Sequence, residues 1–293
     1  MTLAPPGPAP RGAGPALPAL PARGGRRRRS SASTLTRPAG LALGISVTWF
    51  SLLVLIPLAA LVAVAAGDGL GAYARVFSNP QTRAALTLTV GQALLVTAIN
   101  AVMGTVIAWV LVRDRFWGRR VLDVVIDIPF ALPTIVAGLV LLSLYGPQSP
   151  LGISVANTEA SVTMALAFVT LPFVVRTVQP VLEELDKDVE EAAASLGAST
   201  TTILRRVLLP ALVPAIAAGA ALSFARAISE YGSLVLLSGN LPFRTEVVSV
   251  RVLSFLEGGD KASAAALASI MLAVALVVIV ALDLLQRRVA RRG

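Results

Sequence analysis

The sequence predicts an all-α polytopic membrane protein with six transmembrane helices, and three observations carry that expectation. Hydrophobic residues make up 56% of the 293-residue chain and charged residues only 14%, with a mean hydropathy of +0.79. A water-facing surface of this size would need about 25% charged residues. Six apolar stretches, 41–66, 84–112, 121–144, 160–181, 211–238 and 262–285, each reach the roughly 20 residues a helix needs to cross about 30 Å of hydrocarbon. None shows the alternating segments of about ten residues that build a membrane β-barrel. Finally, the Lys and Arg residues are unevenly shared between the two sides of those stretches, as in polytopic helical proteins.

Residues 1–40 are rich in Pro, Ala, Gly and Arg and contain the run Arg26, Arg27, Arg28 and Arg29. Little there can build a core, so a disordered basic cytoplasmic tail is expected. The rival reading is a nucleic-acid or lipid-binding arm. The apolar run that follows is longer than the h-region of a secretory signal, which favours a retained anchor.

The six-span domain covers 41–288. With a cytoplasmic N-terminus, eighteen of the 25 Lys and Arg residues fall inside and five outside, with Arg176 and Arg226 within spans. Both termini are therefore expected in the cytoplasm. The net charge of +9 becomes an orientation label rather than a nucleic-acid footprint. The third stretch holds Pro129 and Pro133, the fourth Pro172 and Pro180; each removes a helix hydrogen bond and permits a kink. Asp123 and Asp127 lie near the inner end of the third span, close enough to the interface to be hydrated. Arg176, near the cytoplasmic end of the fourth, is expected to snorkel.

Loop 182–209, between the fourth and fifth stretches, is acidic in its first half. Asp188 to Leu196 reads as a short helix with acids in its first turn, where the helix dipole favours them. Gly197 sits where a helix ends in the left-handed conformation. Ser199 or a following threonine can cap a second helix, and Pro210 and Pro214 punctuate the start of the fifth span. The local pattern is helix, sharp turn, helix, with a small-residue face at Ala192, Ala193 and Ala194. In the fifth stretch Arg226 and Glu230 stand four apart, on one helical face and able to pair. Two readings stay open for them: a lining or gate of a polar path, or a pair that keeps two charges tolerable at membrane depth.

Cysteine and histidine are both absent from the sequence. That excludes disulfides, thiolate or imidazole metal ligands, a Cys nucleophile and an imidazole-based triad. There is no G-x-x-x-x-G-K-[ST] loop to cradle nucleotide phosphates. A membrane-embedded hydrolase lacks convergent catalytic groups. A secondary transporter would show paired broken segments in inverted halves, and no clear inverted repeat is visible.

The loop resembles the cytoplasmic signature of ABC-importer permeases: Glu-Ala-Ala, three residues, Gly, nine residues, a branched apolar residue, one residue, then Leu-Pro. Glu191, Ala192, Ala193, Gly197, Val207, Leu209 and Pro210 match it at every spacing, with Val207 where the family usually has Ile. Longer stretches, 127–138, 171–180, 224–233 and 238–246, look like the T-type permeases of sulfate/thiosulfate importers. The Arg-rich tail and Asp260-Lys-Ala-Ser depart from the family core. The resemblance implies a type I importer permease (MetI-like) fold and a non-catalytic transport subunit without cofactor or metal. It implies a bacterial plasma-membrane location, and these seven residues as the element that docks on an ATPase. The implied partners are a second permease (a W-type paralogue), two ATP-binding subunits, an extracytoplasmic sulfate-binding protein and membrane lipid, but no nucleic acid. Arg226, Glu230, Pro129 and Pro133 become candidates for the translocation path. Other tetrahedral oxyanions, such as molybdate or tungstate, are the alternative cargo.

Overall fold

A computed structural model describes residues 37–290, and among these residues the chain is helical, with no strand. The expected tail falls almost wholly outside the described residues, although helix α1 (Arg37–Phe50) already begins at Arg37. The chain divides into two units at Leu52. In the first, α1 is apolar on every side, with Leu41, Leu43, Ile45, Val47, Trp49 and Phe50 distributed around it.

The second unit holds α2 (Ile56–Gly67), α3 (Leu70–Ser78), α4 (Pro80–Arg113), α5 (Arg119–Ala131), α6 (Thr134–Tyr145) and α7 (Glu159–Glu184). Then follow α8 (Lys187–Ser195), α9 (Thr200–Ile203), α10 (Leu209–Ile228), α11 (Gly232–Leu237), α12 (Val248–Glu257) and α13 (Lys261–Ala290). Helices α4, α7, α10 and α13 pack side by side, and three apolar clusters hold them. One joins Ala93 and Val96 of α4 to Leu166, Phe224 and Leu234. A second joins Ala65, Val76 and Ala85 to Leu267 near the start of α13. The third joins Ala108 and Leu111 at the far end of α4 to Ile126, Val175 and Leu212.

Five helical runs among the described residues are long and apolar enough to cross a membrane: Ala39–Gly67, Pro80–Arg113, Glu159–Glu184, Thr200–Ile228 and Lys261–Arg288. They match five of the six predicted stretches. The third stretch departs from expectation. It is a broken pair, α5 and α6, bent by 117°, and at about 1.5 Å per residue neither half reaches across the hydrocarbon alone. The cause is local. Pro133 has no N–H to continue the ladder, and Leu132 before it is held extended at φ −87°, ψ 136°, as the residue preceding proline usually is. Pro129, by contrast, sits inside an unbroken α5.

The fifth stretch is also redrawn. Its helix starts at Thr200, well inside the expected loop, and ends at Ile228 rather than Ser238. It runs through Pro210 because a π-helical turn, Leu204–Leu208, precedes that proline, with the Leu209 N–H reaching back to the Leu204 carbonyl. The wider turn makes room for a ring that would otherwise crowd the preceding carbonyl. A second π turn, Ser51–Leu55, precedes Pro57 in the same way.

Candidate coupling element and buried charges

Helix α8 starts where Asp186 accepts a hydrogen bond from the Asp188 N–H at 3.0 Å, with Asp188 and Glu190 in its first turn. It ends in two reciprocal bonds: Gly197 N–H to Ala194 O (2.9 Å) and Ala198 N–H to Ala193 O (3.1 Å). This is the Schellman arrangement, which needs a left-handed residue at its pivot, and Gly197 has φ +84°. Ser199 then caps the next helix, accepting from the Thr202 N–H. Helix, turn and helix stand as the sequence predicts them.

No residue of α8 is buried. Glu191, Ala192, Ser195 and Gly197 are exposed and Ala193 is half-buried, while Leu196 is 89% exposed and Val189 52%. These two are large apolar side chains left bare beside polar neighbours, which makes this face a candidate for docking. Val207, Leu209 and Pro210 follow about two turns into the next helix; Val207 is half-buried and the other two exposed. The inward side of α8 is held by a contact that sequence reading missed. Glu190 Oε1 lies 2.6 Å from Arg113 Nη2, at the end of α4, a close charge contact off the hydrogen-bonding direction, and the Arg113 guanidinium also stands over the Trp109 ring. Nothing in the spacing announces that pair.

Arg226 and Glu230 do meet, at 2.5 Å, but not within one helix. Helix α10 stops at Ile228, so Glu230 sits in the break before α11. The Glu230 side chain, 1% exposed, also accepts from the Ser233 N–H at 2.8 Å and the Ser233 hydroxyl at 2.9 Å. A buried polar group needs such partners to offset its loss of water. Ser249 donates to the Glu230 backbone carbonyl at 2.8 Å. Glu230 therefore fixes the start of α11 and neutralises Arg226 at once.

Helix α11 lies against α6 at backbone distance. A methyl group on Gly138 would sit 2.6 Å from the Ser233 carbonyl oxygen and 2.9 Å from its Cα. The bend at Pro133 and the Arg226–Glu230 pair thus belong to one assembly, joined through Gly138 and Ser233. Pro129 is on the other limb of the bend, where the neighbouring Phe130 makes an edge contact with Phe173 of α7 at 4.9 Å.

Asp123 and Asp127 are partly exposed, as expected of hydrated carboxylates, but they and Arg176 are also paired. Arg176 of α7 donates from Nε and Nη2 to both oxygens of Asp127, at 2.8 and 2.7 Å. Its Nη1 donates to Asp123 Oδ1 at 2.7 Å and to Gln179 Oε1 at 2.6 Å, and its Nη2 to the Asp123 backbone carbonyl at 2.7 Å. One guanidinium clamps α5 to α7. The signal was present: Asp123 and Asp127 share a helix face at i,i+4, and an arginine at membrane depth calls for a partner.

At the opposite end of α4 from Arg113, a cavity of about 500 Å³ is lined by Thr87, Gln92, Glu159, Phe243 and Arg244 among others. Asp260 caps α13 by accepting from the Ser263 N–H at 2.9 Å. The Ser263 hydroxyl and N–H hold its carboxyl below the usual carboxylate range, against a small opposing effect of burial and with help from Arg75. Asp68 in turn raises Arg75 by hydrogen bonding to it.

Residues 100–292 match the family described as binding-protein-dependent transport system inner membrane component. The chain is 43% identical over 259 residues to the sulfate transport system permease protein CysT of Salmonella typhimurium, covering 86% of this chain and 94% of that one. The figures for its namesake in Escherichia coli are the same. With the namesake in Synechocystis it shares 40% identity over 250 residues, 83% of this chain and 87% of the relative. Among solved structures, a bacterial ABC transporter involved in import of the acidic polysaccharide alginate aligns with a TM-score of 0.72 at 17% identity, covering 85% of this chain and 94% of that one. At that identity the likeness is one of fold.

Proposed function

The chain belongs to the family of binding-protein-dependent transport system inner membrane components, and on that premise we propose that it is the permease subunit through which an ATP-driven importer passes sulfate. Sulfate as cargo rests on the likeness to sulfate permeases along most of the chain. The observation that carries the mechanism is the bare face of α8, with Glu191, Ala192 and Leu196 exposed and Gly197 at its pivot. A surface helix with no share in the core is free to be gripped and moved by another protein.

In this reading ATP is hydrolysed by two separate subunits that dock on the α8 face, Val207, Leu209 and Pro210 carry the motion into α10, and this chain does no chemistry. A second permease completes the path and an extracytoplasmic binding protein delivers the anion. The protein resides in the plasma membrane with both termini in the cytoplasm. The inside excess of Lys and Arg supports that orientation. So does the Arg113–Glu190 contact, which joins the end of α4 to the α8 loop. The anion path runs by the break between α10 and α11, where Arg226 offers a positive charge that Glu230 compensates. A strong uncompensated cation would hold a dianion rather than pass it on. Thiosulfate fits the same path, and molybdate is the competing cargo.

The test is uptake of labelled sulfate into vesicles containing the assembled importer, with and without ATP. Glu191→Lys and Gly197→Asp are expected to abolish ATP-dependent uptake while the protein stays in the membrane. Normal uptake by Glu191→Lys with its ATPase undocked would sink the reading. Stronger inhibition by excess molybdate than by excess unlabelled sulfate would transfer it to the other oxyanion.

A further inference from the structure

We infer that the Arg113–Glu190 ion pair is the strut that positions α8 and delivers its displacement to α4. The inference rests on the reading of α8 as the docking element and adds to it the residue through which load reaches the bundle. Glu190 is outside the seven residues of the signature and faces away from the exposed docking side. Its partner closes the last turn of α4.

Three observations carry it. First, α8 has no buried side chain, so apolar packing does not hold it in place. Among the described residues Arg113 is its one ion-pair partner beyond its own loop. Second, the pair is well covered, with Arg113 11% and Glu190 25% exposed. An exposed ion pair contributes little, whereas removing one partner of a covered pair strands the other charge. The Trp109 ring, 5.7 Å from the guanidinium carbon, further limits where Arg113 can point. Third, Arg113 ends a rigid rod. Ala108 is fully buried and Leu111 is 1% exposed in the cluster shared with α5, α7 and α10, and α4 continues for 34 residues to the other end of the molecule. A push on Glu190 therefore arrives on a helix that reaches from one end of the bundle to the other. The ordinary alternative is a pair that merely caps the loose end of α4.

The experiment uses the complete importer in vesicles and compares Arg113→Glu, Glu190→Arg and the exchanged double variant Arg113→Glu/Glu190→Arg. Two quantities are read: sulfate uptake per ATP hydrolysed, and amide hydrogen exchange across α8 in the isolated permease. Each single reversal is expected to lower uptake per ATP about tenfold and to speed exchange in α8, while the ATPase still co-purifies. The exchanged pair is expected to recover both to within about threefold of the parent. Single reversals that leave either quantity within twofold, or an exchanged pair as impaired as the singles, overturn the strut. Glu191→Lys separates this from the underlying reading. It should release the ATPase without altering exchange in α8, and retention of the ATPase would defeat the docking reading whatever the reversals do.

Discussion

Gly138 of α6 and Ser233 of α11 meet through their backbones: a methyl group on Gly138 would lie 2.6 Å from the Ser233 carbonyl oxygen. Neither partner is a flexible side chain that can step aside. Gly138→Ala gains about 1 kcal/mol of helix propensity but incurs roughly 1–3 kcal/mol of overpacking, so the thermal midpoint in detergent should fall, and fall further for Gly138→Val. Gly91 of α4, with nothing within 4 Å of an added Cβ, is the control. Gly91→Ala should be neutral or slightly stabilising.

The Arg176 clamp is asymmetric. Asp127 receives two N–H groups of the guanidinium fork, whereas the Asp123 side chain receives one. Asp127→Asn should therefore destabilise more than Asp123→Asn, by about 2 against about 1 kcal/mol, after allowing for their partial exposure. Thermal unfolding of the two variants in one detergent checks the order. Equal effects would mean that the bidentate geometry is immaterial.

Arg226 and Glu230 differ in what their loss leaves behind. Arg226→Gln strands a carboxylate that is 1% exposed, although Ser233 still donates to it; Glu230→Gln leaves an arginine that is 29% exposed. Because a buried uncompensated charge is the costlier remainder, Arg226→Gln should lower the amount of protein in the membrane more than Glu230→Gln. The double neutral variant should recover that amount yet transport poorly. Full sulfate uptake by the double variant would remove the pair from the anion path.

The cap on α13 should be insensitive to mild acid. Asp260 is held below the ordinary carboxylate range in the folded protein, so its contribution is complete above the unfolded value and is lost only as pH falls through the lower folded one. The thermal midpoint of Asp260→Ala should lie below the parent by a constant amount between pH 5 and pH 7, corresponding to about 1 kcal/mol. Below about pH 4 that difference should shrink. A difference that shrinks between pH 7 and pH 5 would show that another group titrates there.

Apolar length was enough to find five of the membrane-crossing runs, because crossing hydrocarbon demands it of any helix. The broken pair α5–α6 has the same apolar composition as a straight span. What separates them is the backbone of Leu132, and the equally suggestive Pro129 breaks nothing. The turn at Gly197 was legible because every bond that forms it is local. Arg176 with Asp127, 49 residues apart, and Arg113 with Glu190 depend on which helices become neighbours. For Arg176 the cost of a lone charge at membrane depth pointed to a missing partner; for Arg113 no such tension existed. The four-residue spacing of Arg226 and Glu230 predicts their pairing but not its scaffold, since composition does not reveal that α10 stops at Ile228.

That α8 buries none of its residues has a thermodynamic side as well. Displacing a helix that belongs to a core uncovers apolar surface at about 25 cal/mol for every Å², and an applied force is then largely consumed in that exposure. Moving α8 uncovers almost none. Work done on it is not absorbed at the point where it is applied; it passes on, nearly undiminished, to whatever the helix is tied to.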